Sequence, residues 1–527
     1  MTELLGRRGF LGAAAVAAVS GAGFLGMSAW SRMAGLLSPG EPGLLLPSLT
    51  RLPRPYQTDL PIPQVLAPVR TDTTTDYYEI TQQPSQLRIL SGLETPAWTY
   101  QDSFPGPTIV SRSGRRTVVR HRNELPEPVV VHLHGGHTPQ ESDGYPTDLI
   151  LPVGTGSATA GMAGMPATPP QGIGGGSERT YTYPLDQRAA TLWYHDHRMG
   201  FTGPNVWRGL AGFHLVQDEE EAALPLPRGE RDIPLMIADR SFAADGSFRY
   251  PALGGGRPGV TDAYMNGVLG DVILVNGAPW PVLRTERLRY RLRLLNASNA
   301  RRYRLQLDPA PPGGGGLVQI GGDGGLLERP VTHEALEIAP AERFDVVVDF
   351  SRYRPGTAVR LVNRLGSGTT GEVMRFDVSA ASGTPADDTA VPERLSTIPA
   401  LDPAEAVATR TFLFQRQAGS AGWTVNGRPY QPGRPLATAR LGTTEVWRFV
   451  TDFHHPVHLH LNHFQVVARN GRAPGPYDAG WKDTIDLRPA ESAEIVTRFT
   501  DHPGRYLLHC HNLEHEDMGM MADFDTV

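Results

Sequence analysis

The sequence predicts an all-β protein made of three related domains, and three observations support this prediction. A chain of 527 residues suffices for three domains of about 150 residues each. Its 59 glycines and 47 prolines are numerous, but together they stay below the share of about 25–30% that is typical of disordered chains. They therefore indicate many turns and short strands. A turn followed by a strand of alternating polar and apolar residues also recurs three times.

This turn-and-strand unit occurs once in each third of the chain. The strand of the middle unit is predicted to be hydrophobic on one face, because its apolar residues recur at every second position. The turn and the strand of the three units are 104–107 and 117–120, 275–277 and 287–294, and 425–427 and 445–449.

Other segments are predicted to connect or precede the domains. The charged, proline-containing segments 217–231 and 382–403 are interpreted as linkers. The Gly-, Ala- and Pro-rich stretch 152–176 is interpreted as an insertion within the first domain. Its Met162 and Met165 are soft thioether donors of the kind that bind soft transition metals, but methionines in such a loop are more often incidental.

The N-terminus resembles an export signal. Residues 7–11, RRGFL, match the twin-arginine pattern R-R-x-F-L, and the mildly apolar, Ala- and Gly-rich stretch 12–30 follows them. An ordinary secretory signal and an uncleaved anchor are the alternative interpretations. We expect export of the folded protein to the periplasm, the cell envelope or the exterior, with membrane attachment only if the signal is retained.

The charge and the cysteine content exclude some classes of protein. The net charge is −6 and there is no block of basic residues, so that nucleic acid is not an expected partner. The single cysteine cannot form a disulfide within the chain. A monomer stabilised by core packing and bound metal is expected.

The only cysteine, Cys510, lies between His509 and His511, and His515 and Met520 follow it. A thiolate, an imidazole and a thioether belong to the ligand set of a blue-copper site, in which two histidines and a cysteine bind the metal and a methionine binds weakly. On a strand, Cys510 points to one face and its two histidine neighbours point to the other. One strand is thus predicted to contact two metal sites.

Four His-x-His pairs predict the second metal site. The two histidines of such a pair lie on the same face of a strand, so each pair presents two imidazoles side by side. If His455 completes the blue-copper site, eight histidines remain, half of them in the first domain and half in the last. Eight imidazoles exceed what one ion binds, which predicts a multinuclear copper cluster between these domains. The pairs are His132/His134, His195/His197, His458/His460 and His509/His511.

The segments VHLHGG, WYHDHRMG, HPVHLHLNHF and HCHNLEHEDMGMM resemble, in content and order, the four copper-binding motifs of the multicopper oxidases. Within that family, the sequence is most similar to bacterial spore-coat laccases, bilirubin oxidases and phenoxazinone synthases. The resemblance implies three cupredoxin-like Greek-key β-barrel domains, of which only the first and the third bind copper. The predicted parts are a signal region at 1–37, a Pro-rich spacer at 38–68, and domains at 69–220, 221–385 and 386–527.

The resemblance also implies four copper ions and a role for each ligand. Asp143 and Glu516 resemble the proton donors of the family, although the residues alone favour a turn residue and a surface charge. Cys510 is expected to carry electrons between the sites. The implied ligands are His455, Cys510, His515 and Met520 for type 1 copper, His132 and His458 for type 2 copper, and His134, His195, His197, His460, His509 and His511 for the type 3 pair.

The implied reaction is one-electron oxidation of phenolic or aromatic-amine donors, coupled to the four-electron reduction of dioxygen to water. Oxidation of bilirubin or of cuprous ions is an alternative, as is a copper-binding protein of the periplasm without enzymatic activity. Phe453 stands where bilirubin oxidases carry a tryptophan, which argues against bilirubin. The last domain has no methionine-rich segment of the kind that would favour cuprous ions.

The remaining histidines divide into three groups. His454 precedes His455 and is interpreted as a residue at the rim of the donor site. His137 and His463 lie within the motif neighbourhoods and are interpreted as lining residues. The others have no partner at ligand spacing and are expected to be structural or surface residues: His121, His214, His333 and His502.

Overall fold

Strands dominate the part of the chain that the computed structural model describes, namely residues 42–154, 176–253, 258–381, 386–417, 419 and 422–527. The signal region at 1–37 and the methionines Met162 and Met165 lie outside these residues. Among the described residues, no helix has the length and apolar character needed to cross a membrane.

The first third forms two sheets. One has the strand order β5-β10-β9-β7, and the other has the order β2-β3-β6-β8 with β4 paired to β3. The predicted strand at 117–120 lies within β6, as expected. The strands are β1 (Leu44–Leu46), β2 (Arg70–Thr71), β3 (Thr75–Leu87), β4 (Thr95–Tyr100), β5 (Gly106–Arg112), β6 (Arg116–Asn123), β7 (Val131–His134), β8 (Glu178–Tyr183), β9 (Ala190–Asp196) and β10 (Ala211–Gln217).

The middle third also forms two sheets, with the orders β14-β13-β11-β16-β21-β18-β19 and β15-β23-β22-β17-β20. The strands are β11 (Asp232–Arg240), β12 (Val268–Gly270), β13 (Val272–Val275), β14 (Ala278–Pro279), β15 (Val282–Thr285), β16 (Arg289–Asn296), β17 (Tyr303–Asp308), β18 (Leu317–Gly322), β19 (Gly325–His333), β20 (Ala335–Ile338), β21 (Arg343–Asp349), β22 (Ala358–Asn363) and β23 (Glu372–Val378).

The last third repeats the arrangement, with the orders β25-β24-β27-β31-β29 and β26-β33-β32-β28-β30. The predicted strand at 445–449 lies within β27. The strands are β24 (Ala408–Arg416), β25 (Trp423–Val425), β26 (Ala437–Ala439), β27 (Thr443–Thr451), β28 (His455–Leu459), β29 (Phe464–Arg469), β30 (Thr484–Leu487), β31 (Ser492–Phe499), β32 (Gly504–Cys510) and β33 (Met521–Thr526).

Helices are few and short within the described residues. The α-helices are α1 (Gln140–Asp143), α2 (Thr202–Arg208), α3 (Glu219–Ala222) and α4 (Leu513–Asp517). The 3-10 helices are Gly229–Arg231, Asp262–Tyr264, Phe350–Arg352, Gly368–Gly371 and Pro403–Glu405.

Each third of the chain has its own apolar core between its two sheets. Three β-units with paired sheets agree with the predicted fold class. The limits of the domains at 69–220, 221–385 and 386–527 stay a prediction. The Pro-rich spacer is tied to the middle third, because β1 pairs in parallel with β12.

The middle strand β16 differs from its prediction. The stretch was expected to be hydrophobic on one face only, but every residue of β16 after Arg289 is buried. Its polar face carries Arg291 and Arg293, which form ion pairs with Glu221. Burial of these guanidinium groups is possible because each one is paired with a carboxylate. Glu221 belongs to the predicted linker 217–231, so this linker packs against the sheet.

Candidate metal centre

Cys510, the last residue of β32, lies at the centre of a first group of candidate ligands, which we call the sulfur group: His455, Cys510, His515 and Met520. The Cys510 Sγ atom is 3.5 Å from Nδ1 of His455 and 3.5 Å from Nδ1 of His515. The two Nδ1 atoms are 3.0 Å apart. The Met520 side chain is buried in the same apolar core as Cys510. His455, Cys510 and His515 therefore converge as predicted, and the backbone carbonyl oxygen of Met520 accepts a hydrogen bond from the Cys510 N–H at 3.1 Å.

The local structure explains this convergence. β28 begins at His455 and pairs with β32, so that Val457 faces Cys510. The short helix α4 is capped by Asn512, whose side chain accepts hydrogen bonds from the backbone at 514 and 515. This cap turns the chain directly after the cysteine and places His515 beside the sulfur. The backbone N–H of Met520 then donates to the carbonyl oxygen of His515.

In the sulfur group, the Nδ1 atoms of His455 and His515 and the Sγ atom of Cys510 face one another, as metal ligands do. Burial lowers the pKa of His455 and that of His515, which keeps both imidazoles neutral. Burial raises the pKa of Cys510 well above its usual value, so the thiol loses its proton only when a cation takes its place. The outward nitrogen of His455 faces Asp452 at 3.0 Å, and that of His515 faces the Asn266 carbonyl oxygen at 3.2 Å. These contacts orient the inward nitrogens towards the sulfur.

The eight histidines of the four His-x-His pairs form a second group, which we call the histidine cluster: His132, His134, His195, His197, His458, His460, His509 and His511. All eight side chains are buried. The rings of His132 and His460 stack with centroids 3.9 Å apart, and those of His134 and His458 stack at 3.6 Å. Half of the rings come from the first third and half from the last, so the cluster lies between these two units as predicted.

Within the histidine cluster, nitrogen atoms face nitrogen atoms. The Nε2 atom of His509 is 3.1 Å from Nε2 of His460 and 3.4 Å from Nε2 of His197. The rings of His134 and His195 surround His511 with centroid distances of 5.0 and 5.2 Å. The rings of His132 and His458 are 5.7 Å apart. The donor nitrogens form overlapping sets of three that lie within 4.8 Å of one another: His132, His134 and His195; His132, His458 and His460; and His197, His460 and His509.

Acceptors outside the cluster hold one nitrogen of most of these rings. Such contacts leave the opposite nitrogen free to bind a metal. Three rings face backbone carbonyl oxygens through Nδ1: His132 faces Asp143 at 2.5 Å, His195 faces Asp196 at 2.8 Å, and His458 faces Asp483 at 2.9 Å. Two rings face carboxylates: Nδ1 of His460 lies 2.8 Å from Oδ2 of Asp143, and Nε2 of His134 lies 3.0 Å from Oδ1 of Asp483.

The inward nitrogens provide a test of whether the residues fit metal ions. Among the described residues, several buried ring nitrogens of the cluster have no hydrogen-bond partner, and His511 has none on either nitrogen. Such buried polar atoms are costly unless something binds them. Burial lowers the pKa of His132, His134, His458, His460 and His511, so these rings are neutral and no proton binds to their inward nitrogens. Neutral imidazoles in this arrangement fit a set of copper ions.

Asp143 lies at the edge of the histidine cluster. It is buried at the end of α1, and its Oδ1 atom has no hydrogen-bond partner among the described residues. Burial raises the pKa of Asp143 well above its usual value. The following Gly144 has φ +84°, and a side chain there would contact the Val131 carbonyl oxygen at 2.2 Å. Only glycine therefore lets α1 lie this close to β7.

Glu516 also lies beside the histidine cluster, and it is not a surface residue because only 1% of its area is exposed. Its Oε2 atom is 3.2 Å from Nδ1 of His509, and its Oε1 atom is 3.5 Å from Nδ1 of His197. The hydroxyl of Thr202 donates to Oε1 at 2.6 Å. One carboxylate thus contacts two histidines from different pairs.

Asp483 is a site residue that the sequence did not reveal, since it stands outside the four motifs. Besides contacting His134, its carboxylate accepts hydrogen bonds from the buried guanidinium group of Arg343, one of them at 2.8 Å. Although burial raises the pKa of Asp483, the charge of Arg343 holds it below its usual value. Arg343 belongs to the middle third, which therefore supports the histidine cluster without supplying a ring.

We expect Asp483→Asn to destabilise the protein by about 3 kcal/mol and to lower its copper content, because the buried Arg343 would lose its nearest carboxylate and keep only Asp323 at 3.6 Å. Chemical unfolding and metal analysis measure the two effects. Glu445→Gln is a matched control, since Glu445 pairs with Arg410 in the same third of the chain, away from the cluster. This control should lose stability but keep its copper. A full copper content in Asp483→Asn would contradict a supporting role for this residue.

Aromatic rings surround His515 on its outer side. The ring of Trp423 lies 3.9 Å from that of His515, and its indole nitrogen donates to the Met265 carbonyl oxygen at 2.9 Å. The ring of Phe453 is 6.2 Å from that of His515. His454 contacts Phe453 and is partly buried, and burial lowers its pKa to about 4. The role of His454 at the donor site stays a prediction.

Three of the spare histidines are structural, as expected. His121 faces Gln82 at 2.9 Å, His214 faces Ser111 at 2.9 Å, and His333 faces Gln319 at 2.9 Å. His502 was expected to be a structural or surface residue; its side chain is 21% exposed, and its ring lies 4.9 Å from that of His137. The two residues are 365 positions apart in the sequence, so spacing could not reveal the pair.

Known proteins are similar to this chain in sequence and in fold. Two family models described as multicopper oxidase match residues 402–527 and residues 81–159 and 155–221. A laccase from Bacillus stratosphericus is 38% identical, with 90% of this chain and 99% of that protein covered. A bilirubin oxidase from Albifimbria verrucaria is 35% identical over 89% of this chain and 81% of that protein. The crystal structure of a laccase from Pediococcus acidilactici has a TM-score of 0.78 at 32% identity, covering 92% of this chain and 96% of that one.

These matches extend over most of the chain and agree with its convergent sulfur and histidine ligands. Copper is the cofactor of the proteins so described, and dioxygen is their electron acceptor. The chain belongs to the multicopper oxidase family.

Proposed function

We propose that this protein is a laccase-type oxidase that takes single electrons from phenols or aromatic amines and reduces dioxygen to water. The observation that carries this proposal is the aromatic lining beside the sulfur group. The buried Trp423 lies against the ring of His515 in a tilted arrangement, and the partly exposed Phe453 lies 6.2 Å from both rings. Aromatic rings pack favourably in stacked or edge-to-face geometries, so a flat aromatic donor suits the accessible face of Phe453.

The proposed ligands are those implied by the family. The sulfur group would hold type 1 copper, His132 and His458 would hold type 2 copper, and the two groups of three rings would hold the type 3 pair. When bound, copper supplies the one-electron redox chemistry that links donor oxidation to dioxygen reduction. The two triplets of rings are His134, His195 and His511, and His197, His460 and His509.

Cys510 connects the two groups of ligands. Its sulfur atom belongs to the sulfur group, while its peptide neighbours His509 and His511 belong to the histidine cluster. An electron that reaches the sulfur can therefore pass through a few covalent bonds to either ring. This separation keeps an oxidised donor away from the buried cluster in which dioxygen reacts.

Asp143 and Glu516 are the proposed proton donors, since reduction of dioxygen to water consumes four protons. Both carboxyl groups are buried and contact rings of the histidine cluster directly. A positioned carboxyl group transfers protons efficiently over such short distances. Thr202 holds one oxygen of Glu516, which leaves the other directed at His509.

Oxygen uptake by the copper-loaded protein with a methoxyphenol, bilirubin and Cu(I) as separate donors tests this function. We expect the methoxyphenol to drive uptake fastest. If only Cu(I) or only bilirubin drives uptake, the proposed donor class is wrong. No uptake with any of the three, despite four bound coppers per chain, would instead indicate a copper-binding protein.

A metal-ion donor is the second candidate, and one observation favours it. The side chain of Asp452 is 44% exposed, and its Oδ1 atom is 3.0 Å from Nε2 of His455. An exposed carboxylate suits a cation, and a cation bound to Asp452 would lie next to His455 of the sulfur group. Uptake with Cu(I) that falls in Asp452→Asn, while uptake with the methoxyphenol persists, would support this candidate.

We also propose export of the folded protein by the twin-arginine route, with function as a monomer in the periplasm, cell envelope or exterior. The RRGFL run at 7–11 supports the export route. Replacement of Arg7 and Arg8 by lysine should retain the protein in the cytoplasm, as measured by cell fractionation. Light scattering of the exported protein measures its oligomeric state.

A further inference from the structure

A third cluster of metal-binding side chains lies outside both groups described above. It consists of His137, which follows β7, and of Asp501 and His502, which precede β32. Nε2 of His137 is 2.6 Å from Oδ1 of Asp501, and Nε2 of His502 is 4.0 Å from the same oxygen. The two imidazole rings are 4.9 Å apart. Two imidazoles and a carboxylate thus converge from segments more than 360 residues apart.

The surroundings of His137 determine which of its nitrogens carries a proton. Nδ1 lies 3.1 Å from the carbonyl oxygen of Leu461, which can only accept a hydrogen bond, so Nδ1 must carry the hydrogen. In the neutral ring, Nε2 then has a lone pair that faces a carboxylate oxygen at 2.6 Å. Two acceptors at this distance repel each other unless a cation, either a proton or a metal ion, lies with them. A histidine that donates to a carbonyl from its outer nitrogen is also the usual form of a metal ligand.

The backbone around both histidines is fixed by further contacts. The N–H of His137 donates to the side-chain oxygen of Gln187 at 2.8 Å. His502 has φ +56°, a left-handed conformation that is uncommon for residues other than glycine, and its carbonyl oxygen accepts a hydrogen bond from Thr526 at 2.8 Å. The two rings therefore meet because the fold holds their backbones in place.

The electrostatic setting favours a cation. The side chains of His137 and His502 are 15% and 21% exposed, and that of Asp501 is 51% exposed, so the cluster is open to solvent. Besides Asp501, the acidic groups of Glu141 and Asp186 act on His502. Three carboxylates around two imidazoles give a negative potential at a position that solvent reaches.

We propose that His137, Asp501 and His502 form a peripheral site for a divalent transition-metal ion, Zn²⁺ or Cu²⁺, in addition to the four coppers of the family. Two imidazole nitrogens and one carboxylate oxygen are borderline ligands that suit these ions, and water completes the coordination. Nε2 of His502, which lies 4.0 Å from Oδ1 of Asp501, would bind the ion after a rotation of its side chain. The bound ion would join the loop after β7 to the loop before β32, and so tie the first third of the chain to the last.

Zinc binding to the full-length, copper-loaded protein tests this proposal. We expect native mass spectrometry with zinc sulfate to detect one zinc ion per chain in addition to four coppers. His137→Asn and His502→Asn should each lose that zinc, because asparagine replaces the imidazole while the amide still suits a left-handed backbone at 502. His333→Asn is the matched control and should keep the zinc, since His333 lies in the middle third and contacts Gln319.

Two readouts separate site loss from misfolding. Both variants should keep the blue absorption and four coppers, and zinc should raise the thermal unfolding temperature of the parent protein but not of the variants. Equal zinc binding by the parent protein and both variants would overturn the proposal. A parent protein that binds no zinc and no fifth copper at millimolar ion concentration would overturn it as well.

Discussion

Replacement of Cys510 by serine is expected to abolish the blue absorption and to reduce donor oxidation to the background level, while three of the four coppers stay bound. The serine hydroxyl is a hard and largely protonated donor, whereas the thiolate is the soft ligand that defines the sulfur group. The histidine cluster keeps its ligands, because His509 remains oriented by Glu516 at 3.2 Å. Metal analysis, visible absorption and oxygen uptake measure these three effects.

Val457→Ala is the matched control for this change. Val457 is paired with Cys510 across β28 and β32 and is fully buried, but it supplies no ligand. Its truncation should lower stability and leave the blue absorption intact. Loss of all four coppers in Cys510→Ser would show that the two groups of ligands do not bind independently. Retained blue absorption would remove Cys510 from the sulfur group altogether.

Asp143→Asn is expected to slow dioxygen reduction by about tenfold to a hundredfold and to leave the blue absorption unchanged. The amide has nearly the same shape as the carboxyl group, and its oxygen can still accept the hydrogen bond from His460. It cannot release a proton, however, so the change isolates the proton-donating role. Stopped-flow reoxidation of the reduced protein by dioxygen measures the effect directly.

Asp148→Asn serves as the control for Asp143→Asn. Asp148 is a neighbouring buried carboxylate that pairs with Arg179 at 2.8 Å rather than with a histidine of the cluster. Its replacement should leave the rate of reoxidation unchanged. An unchanged rate of reoxidation in Asp143→Asn would contradict the assignment of Asp143 as a proton donor. An equal loss of rate in both variants would indicate a structural effect instead.

Much of the fold could be predicted because its signals are local. The strands at 117–120 and 445–449 lie within β6 and β27, since alternation of polar and apolar residues is a property of the strand itself. The prediction for β16 was wrong on one face, which was expected to be exposed but is buried. Arg291 and Arg293 are polar in sequence, but carboxylates from β11, β21 and α3 reach them and permit their burial.

The candidate ligands were also accessible from the sequence, because their spacing reflects a strand. Residues two positions apart share a face, which pairs the histidines and separates Cys510 from its neighbours. Asp483 and Arg343 were not accessible in this way. Asp483 contacts His134 from outside the motifs, and Arg343, from a different third of the chain, contacts Asp483.

The sequence by itself determined the family, the all-β class and which side chains are available to bind copper, because short-range spacing encodes all three. Only the tertiary structure decided how each imidazole is oriented, which carboxylates are buried against the rings, and that His137 meets His502. These features depend on contacts between units hundreds of residues apart, such as Asp483 with His134. No local pattern records such contacts, because they arise only when separate sheets pack together.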